Sequence, residues 1–333
     1  MNFRTVVELP KQGFFINHSY KGLLMGSCFA QNIGTLMVEN KFRCQVNPYG
    51  ILYNPLSVST ALREMLTGKQ YTPQDLFFYR ECFHSYMHHG SFSSSSLDEC
   101  LTQINSRLDE ARTAVTQLDY VILTFGTSWV YTLKETGKVV SNCHKLPADR
   151  FLRRMLTVEE IFTDYTSLIY TLLQQQPNLK IILTVSPIRH LKDGLHGNQV
   201  SKATLLLAIN RLQEAFPDSV FYFPAYEIVM DDLRDYRFYA DDMVHPSSKA
   251  IQYIWANFDA LYFSKETKQI MHECDDVHKA LAHKPFRIEA EEYKLFLGQI
   301  VLKINRLKEK YPYLDVQKEI EQCCIQLNQS QSK

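Results

Sequence analysis

The stretch Lys21–Asn32, KGLLMGSCFAQN, passes from a short apolar run into a glycine and two side chains that can act as nucleophiles. Its first five residues are typical of a buried strand, and apolar residues recur at helical spacing from Phe29 onward. The sequence therefore predicts a strand that turns directly into a helix. Ser27 and Cys28 lie in that turn, where a nucleophile of an α/β enzyme would be exposed to substrate.

Strands and helices continue to alternate along the chain. Apolar runs typical of buried strands occur at 42–46, 119–125, 180–187 and 219–225, and helical patterns lie between them. Such alternation implies right-handed crossovers and a mostly parallel sheet that is covered on both faces. We therefore predict an α/β fold.

The composition changes at about residue 265 to charged, helical sequence without strands. We therefore expect an α/β domain of residues 1–264 and a C-terminal helical extension of residues 265–333. The segment 293–311 carries an apolar face that must be buried, either on the same chain or in a helix-mediated dimer. We assign to this face Leu295, Ile300, Leu302, Ile304 and Leu307.

Charge and composition exclude several classes of partner. The 36 basic and 36 acidic residues cancel, and no block of like charge offers a surface for nucleic acid or an anionic membrane. No run approaches the ~18 apolar residues of a membrane span, and the N-terminus shows no signal peptide. The eight cysteines form no C-x-x-C pair. We expect a cytoplasmic protein with reduced thiols.

Polar or glycine-bearing clusters follow the predicted strands. In an open parallel sheet, ligands gather beyond the carboxyl ends of the strands, so these clusters should meet at one edge. The sequence therefore predicts a functional site there. The clusters are residues 26–28, 47–55, 126–129, 186–190 and 242–246.

The last cluster contains a candidate base. A Ser or Cys nucleophile needs a base near neutral pH, and histidine is the usual one. Asp242 precedes His245 by three residues, so in a tight loop its carboxylate can orient the ring through Nδ1 and leave Nε2 free. We expect His245 Nε2 within hydrogen-bond reach of the nucleophile.

Six ordered motifs carry a family resemblance. The segments GSCFAQN, NPYGILYNP, FGTSWVY, NCHKLP, SPIRHLKDG and RFYADDMVHPS, over roughly residues 20–262, resemble the bacterial GSCFA-domain family of the SGNH/GDSL hydrolase-like superfamily. The resemblance implies a flavodoxin-like three-layer α/β/α sandwich with a parallel central sheet. It also implies a nucleophile after the first strand, an Asp-x-x-His pair late in the chain, and no metal or cofactor.

The resemblance leaves two nucleophiles open. An ungapped overlay on the superfamily's Gly-Asp-Ser block places Cys28 on the nucleophile, whereas a shift by one residue selects Ser27. A cysteine at a helix N-terminus beside a histidine would have a lowered pKa, whereas serine would need His245 as an explicit base. In a third alternative the turn is not catalytic, Ser27 caps the helix and Cys28 packs in the core.

The resemblance also implies two oxyanion donors, and residues at the predicted strand ends are further candidates for the site. Ser128 replaces the oxyanion-binding Asn of relatives, and the backbone N–H of Gly50 is the second candidate donor. Arg189 can bind a substrate carboxylate or phosphate, or else pair with Asp193. The predicted substrate-binding residues are Asn47, Gly126, Trp129, Arg189 and His190.

Two further groups of side chains have alternative interpretations. Trp129, Tyr131 and Tyr239 form either a platform for a sugar or part of the core. His84, His88 and His89 lack the carboxylate or cysteine spacing that would complete a metal site, so we predict substrate contacts or a structural loop.

These observations predict a hydrolase or acyltransferase that acts on an ester. The expected substrate is a small O-acylated molecule, with a sugar derivative as the superfamily's typical case. The competing hypothesis is a non-catalytic binding module that keeps the fold and the pocket. This hypothesis is favoured by Ser128, which replaces the superfamily's Asn in the motif FGTSWVY.

Overall fold

The computed structural model describes residues 4–11, 13–283 and 291–331. These residues divide into two compact units. The first consists mainly of Lys21–Thr35 and Cys44–Leu261, and the second contains Phe14–Tyr20, Leu36–Arg43 and the described residues after Leu261.

Strands and helices alternate through the first unit, as the sequence predicts. The strands are β1 (Lys21–Gly26), β2 (Arg43–Val46), β3 (Leu76–Tyr79), β4 (Cys82–Ser85), β5 (Tyr120–Phe125), β6 (Trp129–Leu133), β7 (Val139–Val140), β8 (Phe151–Met155), β9 (Lys180–Val185) and β10 (Val220–Tyr222). The helices are α1 (Cys28–Glu39), α2 (Pro55–Thr67), α3 (Leu97–Val115), α4 (Val158–Gln175), α5 (Gly194–Ala215), α6 (Ala225–Glu227), α7 (Ser248–Tyr262), α8 (Lys265–Ala282), α9 (Glu291–Lys310) and α10 (Gln317–Gln331).

The central sheet has five strands in the spatial order β2-β1-β5-β9-β10. Strand β5 pairs in parallel with β1 and with β9, and β9 pairs in parallel with β10. Numbered along the chain, the five strands follow the order 2-1-3-4-5, which is that of flavodoxin-like doubly wound folds. The predicted fold class is confirmed.

Helices cover both faces of this sheet. One face presents alternate residues such as Leu23, Leu123 and Leu183 to a core cluster that also contains the buried sides of α2, α3, α4 and α5. Leu24 and Ile182, which point to the opposite face, are also fully buried. The connection after β1 leads to β2, whereas the connection after β5 leads in the opposite direction, to β9. Because both crossovers are right-handed, their helices lie on opposite faces of the sheet, and α1 covers the second face.

Two small antiparallel sheets interrupt the alternating pattern. Strands β3 and β4 form a hairpin, and β6 pairs with β7 and β8. His84, one of the three histidines for which the sequence offered a structural loop, therefore lies inside strand β4. The hairpin strands have four residues each, too few to give a clear period in the sequence.

The second unit is helical in the residues after Leu261. Helices α8, α9 and α10 share an apolar cluster that includes Ile300, Ile304 and Leu307 from α9. Leu295 and Leu302, which we assigned to the same face, are exposed. The buried face follows the spacing of 3.6 residues from Leu297, and this places Leu295 and Leu302 on the opposite side.

Earlier segments of the chain belong to this second unit. The backbone N–H of Ile16 donates to the carbonyl oxygen of Tyr262 (2.8 Å), and the Thr267 hydroxyl donates to the carbonyl oxygen of Ile16 (3.2 Å). Lys41 forms an ion pair with Glu319 in α10 (2.5 Å). Helix α10 and the start of α8 thus provide partners for residues that lie far earlier in the chain.

A fully buried lysine joins the carboxyl ends of two central strands. Lys202 in α5 is 1% exposed, and its Nζ donates to the carbonyl oxygens of Gly126 and Ser186, each at 2.6 Å. Gly126 follows β5 and Ser186 follows β9. Burial lowers the pKa of this lysine to about 7.

We expect Lys202→Met to lower the free energy of unfolding by about 2–4 kcal/mol, because Lys202 is a buried partner of both carbonyl oxygens. Urea unfolding followed by circular dichroism measures the change. Lys180→Met is the matched control, since Lys180 Nζ also donates to a backbone carbonyl, that of Asp218, but in an exposed position. Equal effects of the two substitutions would contradict this role of Lys202.

We also expect truncation after Ser264 to reduce solubility. The shortened chain would lose Glu319, the partner of Lys41, and Thr267, the partner of Ile16. Light scattering and thermal unfolding of the truncated and full chains test this prediction. A truncated chain that is monomeric, soluble and equally heat-stable would contradict it.

Candidate active site

The candidate site lies where the order of strands reverses. Strands β1 and β5 are neighbours, but their crossovers run in opposite directions, and this is the point where doubly wound folds bind ligands. A cavity of about 350 Å³ opens there. The residues that line it include Cys28, Tyr53, Trp129, Arg189, His190 and His245.

The turn after β1 requires a glycine. Gly26 has φ +134°, and a Cβ at this position would lie 2.1 Å from the carbonyl oxygen of Thr124. Asn47 fixes the turn, because its Oδ1 accepts the N–H of Gly26 (2.9 Å) while its Nδ2 donates to Gln31 (3.1 Å). Asn47 is buried and does not line the cavity, so in this structure it supports the turn, and its contact with substrate stays a prediction.

The two candidate nucleophiles have different surroundings. Ser27 is 1% exposed, does not line the cavity, and its hydroxyl accepts the N–H of Phe29 (3.2 Å). Cys28 is half-buried, begins α1 and lines the cavity. Of the two side chains, only that of Cys28 is open to a ligand in this cavity.

Burial raises the pKa of the Cys28 thiol, and a hydrogen bond with the Tyr53 hydroxyl opposes this shift in part. The lowered pKa that the sequence suggested is therefore not found, because desolvation outweighs the effects of the hydrogen bond and of the backbone N–H at the helix start. Burial also raises the pKa of Tyr53, to about 12, so this hydroxyl keeps its proton at neutral pH.

Asp242 holds His245 as the sequence predicts. Asp242 Oδ2 lies 2.6 Å from His245 Nδ1, and Oδ1 accepts the backbone N–H groups of Val244 and His245, each at 2.9 Å. These hydrogen bonds lower the pKa of Asp242 to about 2, with the backbone N–H of His245 as the largest cause. The carboxylate is thus ionised at neutral pH, and Nε2 is the nitrogen left for other partners.

Base and nucleophile line the same cavity without a direct hydrogen bond. Among the described residues, His245 forms no hydrogen bond with Cys28 or Ser27. The expected contact is therefore not made in this structure. Catalytic hydrogen bonds are often loose without substrate and tighten when it binds.

The predicted oxyanion donors are directed elsewhere. The N–H of Gly50 donates to the carbonyl oxygen of Asn47 (2.8 Å) in a turn, and Gly50 does not line the cavity. Ser128 is fully buried, and its hydroxyl donates to Ser201 Oγ (3.0 Å) in the interior. In this structure neither donor is directed at the cavity. The assignment of Gly50 and Ser128 as oxyanion donors stays a prediction.

Gly126 is a spacer at the back of the cavity. Its N–H donates to the carbonyl oxygen of Tyr53 (2.8 Å), and a Cβ here would lie 3.2 Å from His190 Nε2. His190 lines the cavity, and burial lowers its pKa to about 4, with Lys202 as the second cause. In this structure Gly126 thus permits the close packing of Tyr53 and His190, and its contact with substrate stays a prediction.

The aromatic residues do not form one platform. The Arg153 guanidinium lies over Trp129, 4.1 Å from the ring centroid, and both line the cavity together with Tyr131. Tyr239 is buried beneath Arg189, 4.3 Å from its guanidinium, and does not line this cavity. The structure therefore brings Trp129 and Tyr131 together at the cavity and leaves Tyr239 outside it.

The histidines of the 83–96 segment have structural partners. His84 contacts Ser93 Oγ (2.7 Å) and the carbonyl oxygen of Tyr79 (2.9 Å), and His88 is fully buried against Tyr49, with ring centroids 4.5 Å apart. The part of the chain that the structure describes contains no group of three His, Cys, Asp or Glu side chains placed to bind a metal ion.

Three residues of the site have no pattern in the sequence that would mark them as site residues. Tyr53 lies in the quoted motif NPYGILYNP, but a tyrosine in an Asn- and Pro-rich loop gives no signal of contact with the first cluster. Lys202 lies within a predicted helix, where a lysine normally faces solvent. Arg153 lies in β8, a strand that has no strong apolar pattern.

Fold and site together define a doubly wound α/β protein with an Asp–His pair and a thiol at the switch point of its sheet. The chain belongs to the GSCFA family, whose model matches residues 21–258. A second model, for the C-terminal domain of GSCFA domain proteins, matches residues 274–329.

Other comparisons add little to the family assignment. No curated protein matches the sequence. Among solved structures, the chain is similar to an acetyl xylan esterase (Est2A) from the rumen bacterium Butyrivibrio proteoclasticus, with 17% identity and a TM-score of 0.28. The match covers 48% of this chain and 42% of the esterase, so the chain spans less than half of that protein. No helix in the described residues is long and apolar enough to cross a membrane.

The raised pKa of Cys28 predicts slow alkylation. We expect iodoacetamide at pH 7 to label Cys28 at least ~10-fold more slowly than the exposed Cys324, and the rate to continue its rise with pH beyond pH 9 before it levels off. Tyr53→Phe should shift that rise to higher pH, because the hydroxyl that lowers the pKa is lost. Peptide mass spectrometry measures both rates. Fastest labelling of Cys28 at neutral pH would contradict the prediction.

Proposed function

We propose that the protein is an acyl-ester hydrolase with Cys28 as nucleophile and His245 as base. The observation that carries the proposal is the orientation of His245: Asp242 holds Nδ1 at 2.6 Å, and the ring lines the cavity that Cys28 also lines. A base, its orienting acid and a nucleophile are the three parts of a catalytic triad, and these observations support that assignment.

The raised pKa of Cys28 determines how the thiol must be activated. A neutral thiol cannot attack as a preformed thiolate, so His245 Nε2 removes its proton as sulfur bonds to the ester carbonyl carbon. The imidazolium that results is stabilised by the Asp242 carboxylate and returns the proton to the departing alcohol oxygen. Water then attacks the thioester, with His245 again as base, and releases the carboxylic acid and the thiol.

The tetrahedral intermediate needs donors for its oxyanion. We assign this role to the backbone N–H of Cys28 and the Tyr53 hydroxyl in place of Gly50 and Ser128, which are not directed at the cavity in this structure. The Tyr53 hydroxyl lowers the pKa of the Cys28 thiol and remains protonated at neutral pH, and the backbone N–H of Cys28 also lowers the pKa of this thiol. Donors next to the attacking atom can reach the oxygen that develops charge.

The cavity limits the size of the substrate. A volume of about 350 Å³ suits a small molecule rather than a polymer segment. We therefore propose a small O-acylated substrate, and an acylated sugar derivative remains within this class. Transfer of the acyl group to an alcohol would use the same intermediate, with the alcohol in place of water.

The test uses 4-nitrophenyl acetate as probe. Cys28→Ala and His245→Ala should each lower kcat/KM by ~10²-fold or more, and mass spectrometry after brief incubation should find one acetyl group on Cys28. Matched controls are Cys324→Ala and His196→Ala, which alter exposed residues outside the cavity and should leave kcat/KM unchanged. An acetyl group on Ser27, or activity that survives in Cys28→Ala, would overturn the assignment of the nucleophile.

A non-catalytic binding module is the second candidate. It is favoured by one observation, namely that both donors implied by the family resemblance point away from the cavity. Absence of turnover and of an acyl adduct with a range of small esters would select this alternative.

A further inference from the structure

The wall of the cavity carries an excess of positive charge. Three side chains with permanent or near-permanent positive charge line it, whereas a single carboxylate does so. The cations are Arg153, Arg189 and Lys192, and the carboxylate is that of Asp193. Such a cavity concentrates anions and disfavours cationic ligands.

One of the three cations is already neutralised. Arg153 forms an ion pair with Asp193, and its guanidinium is also stacked on Trp129 at 4.1 Å. This pair accounts for the carboxylate in the wall. The sequence also allowed a salt bridge between Arg189 and Asp193. This salt bridge is not formed, because Asp193 pairs with Arg153.

Arg189 and Lys192 have no carboxylate partner among the described residues. Asp235, which lines a neighbouring pocket together with Arg189, pairs with Arg237 instead (3.4 Å). Aromatic side chains hold both cations in place: Arg189 lies over Tyr239 at 4.3 Å, and Lys192 Nζ donates to the Tyr131 hydroxyl (2.7 Å). Two cations that are positioned but not paired leave their remaining N–H donors for a ligand.

We propose that Arg189 and Lys192 bind an anionic group, a carboxylate or a phosphate, on the substrate of the proposed hydrolase. Both side chains line the same small cavity as Cys28, so the anion and the reacting ester belong to one compact molecule. A guanidinium suits the planar or tetrahedral oxygens of such groups, and the ammonium adds a point charge. The substrate class is thus an acylated small acid or an acylated small phosphate. The inference rests on the proposed function only in taking the substrate to be an ester, whereas the binding of the anion is argued from Arg189 and Lys192 themselves.

The first test compares esters that differ in charge. The probes are 4-acetoxybenzamide, which is neutral, 4-acetoxybenzoate and 4-acetoxyphenyl phosphate. We expect kcat/KM for at least one anionic ester to exceed that for the neutral ester by ~10-fold or more, mainly through KM. Arg189→Gln and Lys192→Gln should each reduce this ratio toward one. Arg154→Gln is the matched control, because Arg154 pairs with Glu160 outside the cavity and the ratio should persist.

The second test measures binding without catalysis. Calorimetric titration of the full chain with 4-hydroxybenzoate and 4-hydroxyphenyl phosphate should detect binding that weakens ~10-fold in Arg189→Gln. Anion binding without ester turnover would support the anion site and reject the hydrolase. Ester turnover with a charge ratio near one, and no binding of either anion, would overturn the anion site and leave the hydrolase in place.

Discussion

The hydrogen bonds of one buried ammonium group organise the carboxyl edge of the sheet. Lys202 bonds the carbonyl oxygens that follow β5 and β9, and it also lowers the pKa of the neighbouring His190. Burial of a lysine costs free energy unless its N–H groups are hydrogen-bonded. The N–H groups of Lys202 meet this condition, because they donate to two buried carbonyl oxygens. The cavity is therefore built on polar contacts within the protein rather than on apolar packing alone.

Much of the fold could be predicted from the sequence, and the reason is physical. Apolar runs such as Tyr120–Phe125 lie in strands buried on both faces, so every residue carries the signal. The short hairpin of β3 and β4 is half-buried and gives no such pattern. The wrong assignment of Leu295 and Leu302 to the buried face of α9 has a different cause. A helix with many apolar residues has two apolar faces, and only its packing determines which of them is buried.

The candidate site was predictable where local geometry decides it. The spacing of Asp242 and His245 is enough to form their pair, because three residues close one tight loop. Contacts between distant segments were not predictable in this way. Tyr53 meets Cys28, and Asn47 fixes Gly26, through the arrangement of the first two strands rather than through any spacing. The direction of the Ser128 hydroxyl likewise depends on Ser201, a partner on α5.

The discontinuous composition of the second unit has a consequence for biosynthesis. Phe14–Tyr20 and Leu36–Arg43 precede in the chain their partners in this unit, such as Tyr262, Thr267 and Glu319, and are therefore synthesised before them. The early segments cannot form these contacts until the later residues have left the ribosome. During that interval the early segments are without the hydrogen bonds and ion pair that they form in the finished protein. A nascent chain that stalls before residue 262 would present them to chaperones.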